Sequence, residues 1–95
     1  MAEIRAEIDR VDAELVALIA ERVGFIDRAA VIKTGIGLPA RIDERVEDVV
    51  AKVRAHAGAH DLPPDTLEML WRRLIAWSIE REEAVLGPGQ TEKRD

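Results

Sequence analysis

Residues 2–33 read AEIRAEIDRVDAELVALIAERVGFIDRAAVIK, a stretch without proline and with a single glycine, Gly24. Its apolar residues step by four and three: Ile4, Ile8, Val11, Leu15 and Leu18, then Arg22, Phe25, Ala29 and Ile32. A heptad-like seam kept up for about four repeats predicts one long amphipathic helix from about Ala2 to Lys33. The cluster Thr34-Gly35-Ile36-Gly37-Leu38-Pro39 is rich in breakers and is expected to end it.

Beyond that break, Ile42, Val46, Val49, Val50 and Val53 mark the inner side of a second helix, from about Ile42 to Ala57. Valines favour strands, but this spacing is helical rather than alternating. Gly58 to Leu62 reads as a turn. Pro64 suits the first position of a third helix, with Asp65 and Glu68 near its positive end. That helix runs through Leu67, Leu70, Trp71, Leu74, Ile75 and Trp77 to Leu86, and Gly87-Pro88-Gly89 stops it. The expectation is an all-α helical domain over 1–87 with a polar tail at 88–95, frayed from Gln90 on.

With 95 residues and 47% hydrophobic content, the chain supports one small domain. A net charge of −5 and the lack of any Lys/Arg run argue against nucleic acid or an anionic membrane as partner. The absence of cysteine removes disulfides, thiolate catalysis and Cys-based metal sites. The opening Met1-Ala2-Glu3-Ile4-Arg5 is unlike a signal peptide, and no apolar run is long enough for a membrane span, so a cytoplasmic protein is expected. Helix length adds a further inference. The first helix would be a rod of about 45 Å, whereas a compact chain of this size has a radius of gyration of about 13 Å. The overhanging seam calls for a second copy, and a homodimer with crossed long helices is the economical answer. An elongated monomeric hairpin is the alternative.

Several polar residues interrupt the apolar pattern. Arg22 holds a seam position between Leu18 and Phe25, either snorkelling to water or facing a site. Lys33 lies about 16 Å further along and only about 20° around the helix, so the two cations share a side. It also suits the negative end of the helix. Arg5 stands about 25 Å from Arg22 and about 100° around, too far for one small pocket within one chain. In an antiparallel crossing of two long helices it reaches the partner's site instead. Arg45 opens the second helix among Asp43, Glu44 and Asp48, where a solvated salt-bridge face is the default. Ser78 and Glu82 fall on the inner stripe of the third helix with Leu67, Trp71, Leu74 or Ile75, and Val85. The serine could bond back to the carbonyl of Leu74. A carboxyl on a core-facing stripe is a candidate proton donor, because burial penalises its charged form. His56 and His60 are four apart, but Gly58 is expected to interrupt the helix between them, and no metal site is assigned. Trp71 and Trp77 read as core or interface anchors. No nucleophile–base pair and no glycine-rich phosphate loop is present. Four cations, a serine and a carboxyl on three helices suit a small dianion, with chemistry resting on positioning and electrostatics.

The chain resembles the all-helical chorismate mutases and their relatives, the isochorismate-pyruvate lyases, over about residues 4 to 86. The resemblance rests on Ile4-Arg5-Ala6-Glu7-Ile8-Asp9-Arg10-Val11-Asp12, Leu18-Ile19-Ala20-Glu21-Arg22, Lys33, Pro39 leading to Glu44-Arg45-Val46, and Trp77-Ser78 followed by Glu82. It implies three helices in an intertwined homodimer of the type II kind, a cyclic dicarboxylate substrate and no cofactor. By the same resemblance, Arg22 and Arg5 of the partner subunit bind two carboxylates, and Lys33 contacts a carboxylate and the ether oxygen. Arg45 lines the ring side, Ser78 adds a hydrogen bond, and Glu82 stands where many members have a glutamine that donates to the ether oxygen. Lys33, Glu82 and Arg22 are the expected catalytic groups. Ile42 and Val46 replace acidic residues that hold the ring hydroxyl in typical mutases, and the lyase branch is similarly apolar there. Chorismate rearrangement is the expected activity, with isochorismate-pyruvate lysis to salicylate as the alternative and a non-catalytic helical dimerisation module as the rival of another class.

Overall fold

The computed structural model describes residues 1–86, so the expected stop at Gly87-Pro88-Gly89 and the tail at 88–95 lie outside the described residues. The chain forms three helices: α1 Ala2–Ile36, α2 Asp43–Ala59 and α3 Pro64–Leu86. There is no strand among the described residues, and the valine-rich segment is helical, as its spacing predicts.

Two helix ends differ from expectation. The first helix passes Lys33 and continues through Thr34 and Gly35 to Ile36. The residue that ends it is Gly37, at φ 77°, in the left-handed region that glycine enters without steric penalty. The Leu38 N–H then bonds back to the Lys33 carbonyl at 2.9 Å, closing a Schellman turn. The second helix likewise runs through Gly58, which therefore does not interrupt it. The left-handed position falls on Asp61, at φ 58°. Asp61 N–H bonds to Gly58 O at 3.2 Å and Leu62 N–H to Ala57 O at 2.8 Å, the same motif built on an aspartate. In both cases a glycine inside the helix keeps helical geometry because the cap satisfies the last carbonyls further on.

The third helix packs against both others, while α1 and α2 meet only marginally. Val46, Val50 and Ile75 form the buried cluster, with Val49, Trp71 and Ile79 packed on it. On the outer side Arg72 grips Glu47 of α2 and Glu68 of α3, and Arg54 reaches Asp65 and Glu68. Of these, the Arg72–Glu47 bridge and the two Arg54 bridges run between α2 and α3, and such surface bridges add little beside the buried apolar cluster.

The first helix is different. Its 35 residues make a rod of about 52 Å, and the molecule measures 59 × 24 × 17 Å. The radius of gyration is 16.5 Å, against about 13 Å for a compact chain of this size. Ala30 is the one buried residue of α1, and residues 1–21 are all exposed. Along the seam Ile4, Ile8, Leu15, Leu18 and Phe25 are each more than half exposed. No large side chain is fully buried among the described residues. Among the described residues no helix is long and apolar enough to cross a membrane.

Candidate active site

The polar contacts between α1 and α3 lie in the C-terminal half of α1. Ser78 and Glu82 are the buried polar side chains of the described residues, at 3% and 4% exposure. Each meets a cation from α1. Lys33 Nζ donates to Glu82 Oε1 at 2.7 Å and to the Ala40 carbonyl at 2.8 Å. Of the three N–H groups of an ammonium, one is left for another acceptor. Lys33 does stand in the last turn of α1, but its head crosses to α3 and the α1–α2 connection, so complementing the dipole is not its main contact. Arg22 donates to Ser78 Oγ at 3.2 Å. The Ser78 hydroxyl also donates to the Leu74 carbonyl at 2.9 Å, the local bond its position allows.

These four residues border a cleft of about 380 Å³, of the size that takes a small ligand. Arg45 joins them, and Ile42, Val46, Val49, Ile75 and Ile79 form an apolar wall. Burial, and secondarily the neighbouring charge of Arg45, holds the Arg22 guanidinium below its usual range. No acidic side chain pairs with Arg22 among the described residues, whereas Lys33 has Glu82 and Arg45 has Asp48. A half-buried cation pressed by a second cation and lacking a counter-ion favours an anion in the cleft.

Of the residues singled out from the sequence, Arg22, Lys33, Ile42, Arg45, Val46, Ser78 and Glu82 all border this cleft. Arg5 does not; it is exposed near the far end of α1. Val46 carries a second duty, being 7% exposed and part of the buried cluster. Ile42 is the N-cap of α2 rather than its first helical residue, and its side chain makes no capping bond. Val85, placed on the inner stripe, is 56% exposed, so the stripe stays buried only as far as Glu82. Trp71 packs on the core as expected, while Trp77 is 41% exposed beneath the Arg81 guanidinium. His60 caps α2 with Nδ1 3.0 Å from the His56 carbonyl, and no metal-binding group of three or more ligands occurs among the described residues. The Lys33–Glu82 ion pair and the Ala40 carbonyl were not foreseen. Opposite charges on the inner stripes of two helices signal such a pair, but nothing in the sequence marks a loop carbonyl.

The family model described as chorismate mutase type II matches residues 4–83. The chain belongs to that family. Among curated proteins it is similar to the T-protein of Enterobacter agglomerans, 33% identical over 82 residues, covering 86% of this chain and 22% of that protein. It is also similar to a bifunctional chorismate mutase/prephenate dehydratase of Aquifex aeolicus, 30% identical over 100 residues, covering 96% of this chain and 27% of the relative. A chorismate mutase of Methanocaldococcus jannaschii is 34% identical over 62 residues, 65% of this chain and 63% of that protein. The chain thus spans about a quarter of the length of the first two relatives. No solved structure matches. Membership of the chorismate mutase type II family agrees with the all-helical fold.

Proposed function

We propose that the chain converts chorismate to prephenate, holding the dianion and stabilising the developing charge without a covalent intermediate. The observation that carries this reading is Arg22: a half-buried cation without a carboxylate partner among the described residues, on one small cleft with Lys33 and Arg45. In the rearrangement the ether C–O bond breaks as the new C–C bond forms, and negative charge gathers on the departing oxygen. Arg22 takes one carboxylate, and the free N–H of Lys33 is directed to the second carboxylate or the ether oxygen. Glu82 fixes the Lys33 ammonium on the cleft through its 2.7 Å bond. Donors directed to the ether oxygen stabilise the transition state more than the ground state.

The same reading makes the active unit a homodimer in which Arg5 of the partner subunit completes the site. Its support is the uncovered seam of α1, apolar over most of a rod of about 52 Å. A second reading, lysis of isochorismate to salicylate and pyruvate in the same pocket, is favoured by Ile42 and Val46 on the cleft wall. Purified protein incubated separately with chorismate and with isochorismate, followed by product identification, tests both. Prephenate from chorismate supports the first reading; pyruvate and salicylate from isochorismate alone replace it with the second. Failure to bind a cyclic dicarboxylate transition-state mimic leaves the dimerisation module.

A further inference from the structure

Four side-chain hydrogen bonds join α1 to α3 in the described residues. Two belong to the cleft, Arg22 to Ser78 and Lys33 to Glu82. The other two form one bidentate pair: Arg81 Nε to Asp27 Oδ1 at 2.7 Å and Arg81 Nη2 to Asp27 Oδ2 at 3.0 Å. This pair lies outside the cleft lining. At 100° per residue, Asp27 and Lys33 stand about 60° to opposite sides of Ala30. Ala30 is completely buried at the centre of the contact. On α3, Arg81 and Glu82 likewise fall on opposite sides of buried Ser78. The Asp27–Arg81 pair therefore closes one flank of the helix contact and the catalytic groups occupy the other.

From this we infer that Asp27 and Arg81 are positioning residues, a fork-to-carboxylate clamp that sets the register of α1 on α3. Their task is to keep Lys33 opposite Glu82 and Arg22 opposite Ser78. The inference rests on the proposed reaction. An anion in the cleft competes for the donors of Arg22 and Lys33, and the outer clamp is then the polar link that holds the two helices. The indole of Trp77 lies 6.0 Å from the Arg81 guanidinium and backs it. Bidentate geometry matters here, since two parallel bonds resist both sliding along the helix axis and rotation about it. Sliding α3 by one residue moves Glu82 by about 1.5 Å along its axis and turns it by about 100°.

The test compares Arg81→Ala, Asp27→Arg, the charge-swapped double variant Asp27→Arg/Arg81→Asp, and Arg54→Ala as a control that cuts a bridge remote from the cleft. Each is assayed for chorismate conversion at a temperature where circular dichroism shows a fully helical protein. Misplacement of reacting groups by about 1 Å costs up to about 100-fold; kcat of Arg81→Ala is expected to fall by about tenfold or more, with KM changing less. Arg54→Ala is expected to keep wild-type kcat. Recovery of most of the lost kcat by the double swap supports the clamp. A wild-type kcat in Arg81→Ala, or no recovery in a folded double swap, overturns it. A crystal structure of Arg81→Ala reads the clamp apart from the chemistry. Lys33–Glu82 and Arg22–Ser78 are expected to separate beyond hydrogen-bond distance, and if both stay at their wild-type lengths the inference fails. If the wild type converts no chorismate, the reaction reading falls and this structural comparison alone decides the clamp.

Discussion

Glu82 Oε1 accepts a hydrogen bond from Lys33 in a place almost closed to water. Paired with Lys33, Glu82 accepts and has no N–H of its own for the ether oxygen. Glu82→Gln still accepts from Lys33 and adds an amide N–H that can be directed there. kcat of the variant is expected to match or exceed that of the wild type, and steady-state kinetics of both at one pH check this. A kcat lower by about tenfold or more in the folded variant, about the size of one strong hydrogen bond, would show that the site uses the charge of Glu82 rather than a donor at this position. The apolar wall offers a second residue-scale test. Val46→Glu would restore an acceptor for a ring hydroxyl, but Val46 belongs to the buried cluster, and an unpaired carboxylate there threatens folding first. Ile42 is the better position, because an aspartate at an N-cap is favourable in itself. Ile42→Asp is expected to raise the chorismate-to-isochorismate ratio of kcat/KM by about tenfold, as one regained hydrogen bond of about 1–1.5 kcal/mol allows. An unchanged ratio in the folded variant shows that this wall does not set substrate choice.

At the scale of single elements, the two glycines near the end of α1 make opposite demands. Gly35 sits in helical geometry, and a Cβ there meets nothing within 4 Å. Gly35→Ala is therefore expected to stabilise the protein by about 0.4–1 kcal/mol, through the lower entropy of the unfolded chain. Gly37 has the same open space around it but a φ of 77°. Gly37→Ala is expected to destabilise by about 1–2 kcal/mol, because an L side chain in that region crowds its own carbonyl. Urea unfolding of both variants at one fixed protein concentration gives the comparison. Equal effects would mean that the α1 cap is not held by its left-handed residue. The cap also matters for the cleft, since Lys33 binds the carbonyl of Ala40 just beyond it.

For the molecule as a whole, the decisive feature is a first helix that its own chain leaves bare. The seam from Ile4 to Leu18 is exposed throughout, and apolar surface left in water forgoes about 25 cal/mol per Å². In the proposed homodimer a second copy would cross the seam, cover it, and bring Arg5 of the partner subunit towards the middle of the opposing rod. Sedimentation velocity is expected to show a dimer, and Leu15→Glu with Leu18→Glu to dissociate it with loss of activity. The shared site has a sharper test. Arg5→Ala and Arg22→Ala homodimers are each expected to be nearly inactive, while unfolding and refolding them together restores activity, because a heterodimer has one site with both arginines intact. Verified heterodimers without activity would show that Arg5 does not serve the opposite chain.

Much of this was legible in the sequence, because helical periodicity is a local property. A repeat of 3.6 residues places Ile4, Ile8, Val11, Leu15 and Leu18 on one face, and puts Arg22 and Lys33 on one side, whatever they pack against. The all-α class and the three helices follow from that. The family resemblance added Ile42, Arg45 and Val46, and these three border one cleft with Arg22, Lys33, Ser78 and Glu82. Which glycine ends α1 was not legible, since Gly35 and Gly37 differ only in the backbone angles that the capping bonds impose. Nor was the double role of Val46, or the clamp of Asp27 and Arg81, whose partners are 54 positions apart. Those depend on how far α3 slides and turns against α1, and that is settled by side-chain shape across the contact at Ala30. Spacing along either helix says where a residue points; only the packed pair decides what it meets.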